Sequence, residues 1–204
     1  MIDPSILRLV AITDNVRDGQ SGLIARATAA VNGGATCVQL RLKDVAARDL
    51  VGLARELIKA VGVPVIVNDR ADVAIAAGAA GVHLGADDAP VSAIRRIAPK
   101  GFLIGASVGS DAEVPLSGGA DYVGVGPVFG TLSKDDAGDA IGLVEFTRVS
   151  TATGLPAVAI GGVNTANARS AIEAGAVGIA VISAIFGATD PLVAARELVS
   201  ATGK

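Results

Sequence analysis

The chain has 204 residues, 51% of them hydrophobic, 18% charged and only 2% aromatic, with a formal net charge of −3 at pH 7. This excludes a disordered chain, which needs low hydrophobicity and high net charge, and it leaves no global basic field for nucleic acid or an anionic membrane surface. One Cys cannot close an internal disulfide, so nothing points to secretion, and so few rings argue against base stacking as the main trade.

A soluble, cytoplasmic protein is expected. The charge-free stretch 174–189 is 16 residues long and holds three Gly, short of the roughly 18 apolar residues of a bilayer span. The stretch 149–168 is broken by Pro156, Asn164 and Asn167. The N-terminal MIDPSILRL shows neither a long apolar run nor a small-residue cleavage site.

Eight short apolar runs order the chain. LRLVAIT (7–13) comes first, followed by a helical pattern over 22–31; CVQLR (37–41) is followed by one over 46–61. PVIVN (64–68) and GVHL (81–84) come next, then a helical pattern over 91–98. FLIGAS (102–107) and YVGVG (122–126) follow, then helical spacing over 143–151, AVAIGG (157–162), helical spacing over 165–174 and VGIAVIS (177–183). Most runs are continuously apolar, as parallel strands covered on both faces should be. Four joints, GGATCV, GAAGVH, GGADYV and AGAVGI, place a Gly where a helix ends in the left-handed region before the next strand. Eight strand–helix units in this length leave about 25 residues each, enough for one strand, one helix and two short connections. The expected fold is α/β, a single-domain (β/α)8 TIM barrel of minimal size spanning 1–204. An open doubly wound sheet would carry GxGxxG after its first strand; ITDNVRDGQSG does not.

Chemistry in such a barrel sits at the C-terminal strand ends. There the sequence places Thr13 and Asp14, then Gln39, Arg41 and Lys43, then Asn68, Asp69 and Arg70. His83, Asp87 and Asp88 follow, then Ser107, then Thr131, Ser133 and Lys134, then Gly161 and Gly162, and finally Ile182 and Ser183. Cations match phosphate oxygens, and a carboxylate pair holds Mg²⁺ together with substrate phosphates. Adjacent glycines after strand 7 leave N–H groups open to an anion. Two phosphate-bearing groups are implied, one with metal and one held by backbone. Asp69 and Asp88 equally suit helix N-caps, His83 suits a hydrogen-bonded core residue, and Cys37 suits a small buried hydrophobe. The long connection 126–142, with Gly126, Gly130, Gly138 and Gly142, reads as a lid that carries Lys134.

The segments QLRLK (39–43), ND (68–69), GVHLGADD (81–88), GAS (105–107), GADYVGVGPVFGTLSK (119–134), AIGGVN (159–164) and AVISAI (180–185) together resemble the thiamine-phosphate synthase family, within the synthase and thiazole tautomerase superfamily. The resemblance implies a cytoplasmic transferase of thiamine biosynthesis that joins a pyrimidine-methyl diphosphate to a thiazole phosphate and releases pyrophosphate. It implies that Gln39, Arg41, Lys43, Asn68, Ser107 and Lys134 hold the pyrimidine and its diphosphate, with Arg41, Lys43, Ser107 and Lys134 catalytic. Asp69 and Asp88 would hold Mg²⁺. Thr131, Leu132 and Ser133, with Gly162, Ile182 and Ser183, would hold the thiazole phosphate. Small-molecule substrates are the implied partners, without nucleic acid or membrane; a homo-oligomer is left open. Leu42, Ala86, Gly109, Gly130 and Asp135 depart from the family pattern. The tautomerase branch is expected to use a His near Gly109 and to lose the carboxylates, so the residues here favour the synthase over the tautomerase. A non-catalytic thiamine-phosphate-binding or regulatory protein would not need Asp69, Asp88 and Lys134.

Overall fold

The computed structural model describes residues 3–14, 18–130 and 139–203. Eight parallel strands close into a barrel in chain order, with β8 returning to β1. They are β1 Leu9–Ile12, β2 Cys37–Leu40, β3 Val65–Asn68, β4 Gly81–Leu84, β5 Leu103–Val108, β6 Tyr122–Val125, β7 Ala157–Ile160 and β8 Gly178–Val181. Each expected run coincides with or overlaps one strand; GVHL matches β4 and β5 ends one residue past its run. Where a run continues past the end of its strand, as at Thr13, Arg41 and Ser183, those residues form the rim.

Every residue of β1, β2, β4, β6 and β8 is buried. This explains the continuous apolar runs: one strand face meets the helices and the other fills the barrel. The interior is filled by Val10, Ile12, Cys37, Ile66, Tyr122, Val158 and Ala180, with Leu7 beneath. Cys37 is 1% exposed, and burial pushes its thiol pKa up to about 12. The thiolate is therefore absent at neutral pH. A thiol reagent is expected to leave the folded protein unmodified and to label one thiol per chain in denaturant; rapid labelling of the folded chain would contradict this burial.

The outer layer consists of α1 Gly19–Asn32, α2 Ala47–Ala60, α3 Ala71–Ala77, α4 Val91–Ile97, α5 Gly142–Thr153, α6 Ala168–Glu173, α7 Ser183–Phe186 and α8 Pro191–Ala201. The sequence explains α2 directly: Leu50, Leu53, Ala54 and Leu57 recur at helical spacing and are its buried face. At α8, Pro191 occupies the first turn, and the Asp190 carboxylate accepts from Leu192 N (3.0 Å) and Val193 N (3.1 Å). Among the described residues no helix is long and apolar enough to cross a membrane.

One expectation needs correction. Described helices number eight, but none lies between β5 and β6, and two follow β8. The GGADYV joint therefore ends no α-helix; a four-residue 3₁₀ turn, Val114–Ser117, precedes it. Pro115 lacks the N–H a longer helix needs, and Gly118 follows at once. The positive φ expected in each joint falls at Gly34, Gly78, Gly119 and Gly175. Where the helix is missing, Arg95 of α4 reaches across. Its guanidinium donates to Phe102 O (2.9 Å), to Gly119 O and to Asp121 Oδ2 (2.7 Å), and the same Asp121 oxygen accepts from Ile104 N (2.8 Å).

Candidate active site

The strand C-termini surround a cavity of about 590 Å³, within the range of small-molecule sites. Of the residues singled out from sequence, Arg41, Lys43, Asn68, Asp69, Asp88, Ser107, Gly162, Ile182 and Ser183 line it. The first six come from contiguous strands β2 to β5, the last three from β7 and β8. In a closed eight-strand ring, β3 and β4 stand opposite β7 and β8. The cavity thus has a charged wall and, facing it, a wall of backbone.

Arg41 is set by β1. The Thr13 side chain, fully buried, accepts from Arg41 N (2.8 Å) and donates to Arg41 O (3.0 Å). The sequence placed Thr13 on the rim; its position at the end of the first apolar run is the only signal of this clasp. Gln39 does not line the cavity. It is 4% exposed and donates from Nε2 to Asn68 Oδ1 at 2.7 Å, so it fixes which way the Asn68 amide points.

Neither carboxylate is a helix N-cap: Arg70 holds that place for α3 and Pro90 for α4. Asp69 instead adopts φ 62°, with its N–H donating to His83 O at 2.8 Å. Asp and Asn tolerate this left-handed conformation better than other side chains. Asp88 Oδ2 accepts from Gly85 N at 2.6 Å, which orients the group within its own turn. Both carboxylates present hard oxygen donors to one cavity. Among the described residues no group of three or more His, Cys, Asp or Glu is placed to hold an ion. A pair of carboxylates suits Mg²⁺, which takes one or two carboxylates plus substrate phosphates and water.

On the opposite wall Gly161 and Gly162 have φ of 90° and 64°. The carbonyls here are occupied. Ile160 O accepts from Val128 N (2.8 Å), Gly161 O from Phe129 N (3.0 Å), and Gly162 O from the Asn164 and Asn167 amides (3.3 and 3.0 Å). Among the described residues the Gly161 and Gly162 N–H groups have no backbone acceptor. Next to them α7 begins at Ser183, and the first N–H groups of any helix lack intrahelical partners. This wall offers donors to an anion.

Thr131, Leu132, Ser133 and Lys134 lie outside the described residues, as does the middle of the expected lid, 131–138. The flanking chain is described: Ile141 N donates to Pro127 O (2.8 Å) and Gly142 N to Val128 O (3.1 Å), so the two ends meet at the cavity rim. Sequence reasoning passed over Glu113, whose Oε2 accepts from Gly109 N at 2.6 Å on the cavity wall. It also passed over Tyr122, whose hydroxyl meets His83 Nδ1 at 3.1 Å. His83 is 8% exposed and its Nε2 stands 3.0 Å from Ser107 Oγ, so the core reading of this residue fits the geometry.

A parallel eight-strand barrel with its charged side chains gathered at the C-terminal strand ends is a barrel enzyme in architecture. Residues 9–185 match the family model described as thiamine monophosphate synthase. A thiamine-phosphate synthase of Roseiflexus castenholzii is 49% identical over 192 residues, covering 92% of this chain and 84% of the relative. One of Methanoculleus marisnigri is 54% identical over 180 residues, covering 86% and 84%. The solved thiamine phosphate pyrophosphorylase of Pyrococcus furiosus superposes with a TM-score of 0.87 at 38% identity, covering 98% of this chain and 97% of that one. The chain belongs to the thiamine monophosphate synthase family.

Proposed function

We propose that this chain is a thiamine-phosphate synthase, joining a pyrimidine-methyl diphosphate to a thiazole phosphate with release of pyrophosphate. The observation that carries the reading is the pairing of two unlike walls in one cavity. Cations and carboxylates rise from β2 to β4, and the N–H groups of the Gly161–Gly162 turn after β7 face them, with Ile182 and Ser183 beside that turn. That is the complement of a diphosphate and a monophosphate bound side by side. The names of the relatives support it.

In this reading Asn68 and Ser107 hold the pyrimidine, with Gln39 aiming Asn68 from behind. Arg41 and Lys43 hold the diphosphate, with Lys134 added by the resemblance. As the methylene C–O bond breaks, its electron pair leaves with the pyrophosphate, and the two cations stabilise that growing charge. The Gly161–Gly162 turn, Ile182 and Ser183, with Thr131, Leu132 and Ser133 by resemblance, fix the thiazole phosphate. Its ring nitrogen is thereby held toward the methylene carbon, where the new C–N bond forms. Holding both partners in line supplies several kcal/mol of the barrier. No protein nucleophile is needed. Asp69 and Asp88 would hold Mg²⁺, which when bound supplies further charge neutralisation at the diphosphate. The reaction belongs in the cytoplasm, which accords with one buried Cys and no described membrane-crossing helix.

The test is to mix the purified chain with both substrates and Mg²⁺ and to follow thiamine phosphate and pyrophosphate. Equimolar appearance of both is expected. Binding of thiamine phosphate without turnover would instead make the chain a binding protein.

A further inference from the structure

His83 and Tyr122 line no part of the cavity, yet they form a buried polar column inside a barrel filled mostly by aliphatic side chains. The barrel is built around this column. His83, Gly105 and Tyr122 stand in one register across β4, β5 and β6, and Ser107 pairs with Gly124 in the next layer up. A Cβ at Gly105 would overlap both the Tyr122 ring and His83 Nδ1, and one at Gly124 would come within 3.1 Å of His83 Cε1. Two glycines thus open the space through which the imidazole reaches Tyr122 on one side and Ser107 on the other.

The hydrogen-bond polarity of the column follows from satisfiability. Tyr122 is 3% exposed, and among the described residues its hydroxyl has one hydrogen-bond partner, His83 Nδ1. A buried O–H without an acceptor costs more than the bond it forgoes, so the hydroxyl donates and Nδ1 accepts. Burial, with Cys37 and Asp121 nearby, also holds the phenol proton well beyond its ordinary range. We infer that His83 is a positioning residue, locked by Tyr122 as the neutral Nε2–H tautomer, so that Ser107 accepts from the imidazole and must aim its own hydroxyl proton into the cavity. An imidazolium would donate from both nitrogens and leave the Tyr122 proton without an acceptor. Ser107 therefore presents a donor, and the ligand atom it meets is an acceptor, such as an unprotonated ring nitrogen or a phosphoryl oxygen. The tautomer stands on geometry alone; which substrate atom meets Ser107 rests on the synthase reading.

His83 is the only His in the chain, so ¹⁵N-histidine labelling reports a single ring. At neutral pH the spectrum is expected to show an unprotonated Nδ1 and a protonated Nε2. Tyr122→Phe removes the donor and should return the ring to a mixture of tautomers. Ser107→Ala and Tyr122→Phe should each lower kcat/KM for the diphosphate substrate about tenfold, and the double variant should fall no further than Ser107→Ala alone. An Nδ1–H tautomer or an imidazolium in the unmodified protein would overturn the inference, as would additive losses in the double variant. The spectrum needs no substrate, so the tautomer can stand while the synthase reading fails, or fall while that reading holds.

Discussion

Asp69→Asn is expected to lower turnover about a thousandfold, a change of several kcal/mol in the barrier, while leaving thermal stability nearly unchanged. The choice of Asn matters. Residue 69 is held at φ 62°, and Asn accepts that conformation where Ala would add strain. The variant thus removes charge without moving the backbone that links β3 to His83 O. Stripping divalent metal with EDTA should reproduce the loss in the unmodified enzyme, and added Mg²⁺ should reverse it there but not in Asp69→Asn. Full turnover in EDTA would dismiss both Asp69 and Asp88 as metal ligands.

The second large effect is expected at Gly162. Its φ of 64° already disfavours a side chain, and an added Cβ would overlap Gly130 O and lie 2.8 Å from the Phe129 carbonyl carbon. Ala is therefore enough to push the β6 rim away from the β7 turn. Gly162→Ala should raise KM for the thiazole phosphate at least about tenfold, or 1.4 kcal/mol, with a smaller change for the diphosphate substrate. Equal weakening for both would mean that the rim, and not an anion site, had been lost. Gly130 also leads toward Lys134, so a bulkier residue such as Val would blur the two outcomes.

The strands were legible because a parallel barrel buries both strand faces, which turns each strand into an apolar run. The charged rim was legible for the complementary reason: Arg41, Asp69 and Asp88 interrupt those runs where burial ends. Relations that depend on the stagger between distant strands were not legible. Gln39 and Asn68 were placed together in the site, but only the folded register shows one aiming the other from behind. His83 lies 39 residues before Tyr122, and nothing local marks them as partners. The missing helix after β5 had a local sign, Pro115 shortly before Gly118 and Gly119, which the regular division into eight units overrode.

The gap left by that helix has a consequence for how the barrel opens. Elsewhere a strand is backed by an apolar helix face, and separating the two exposes much hydrocarbon. Behind β5, Ile104, Ala106 and Val108 are still buried in the apolar core, and the Arg95 fork is added beside them, its acceptors two carbonyls and one carboxylate that flank the strand. Directional bonds at a partly exposed guanidinium expose little apolar area when they break, so loosening of the fork itself should depend weakly on denaturant and more on salt. A Lys at position 95 would keep the charge and lose the planar fork that reaches three acceptors at once. The strand that carries Ser107 is thus held to its outer layer by hydrophobic burial and by one polar fork beside it, which adds a salt-sensitive part to its local opening.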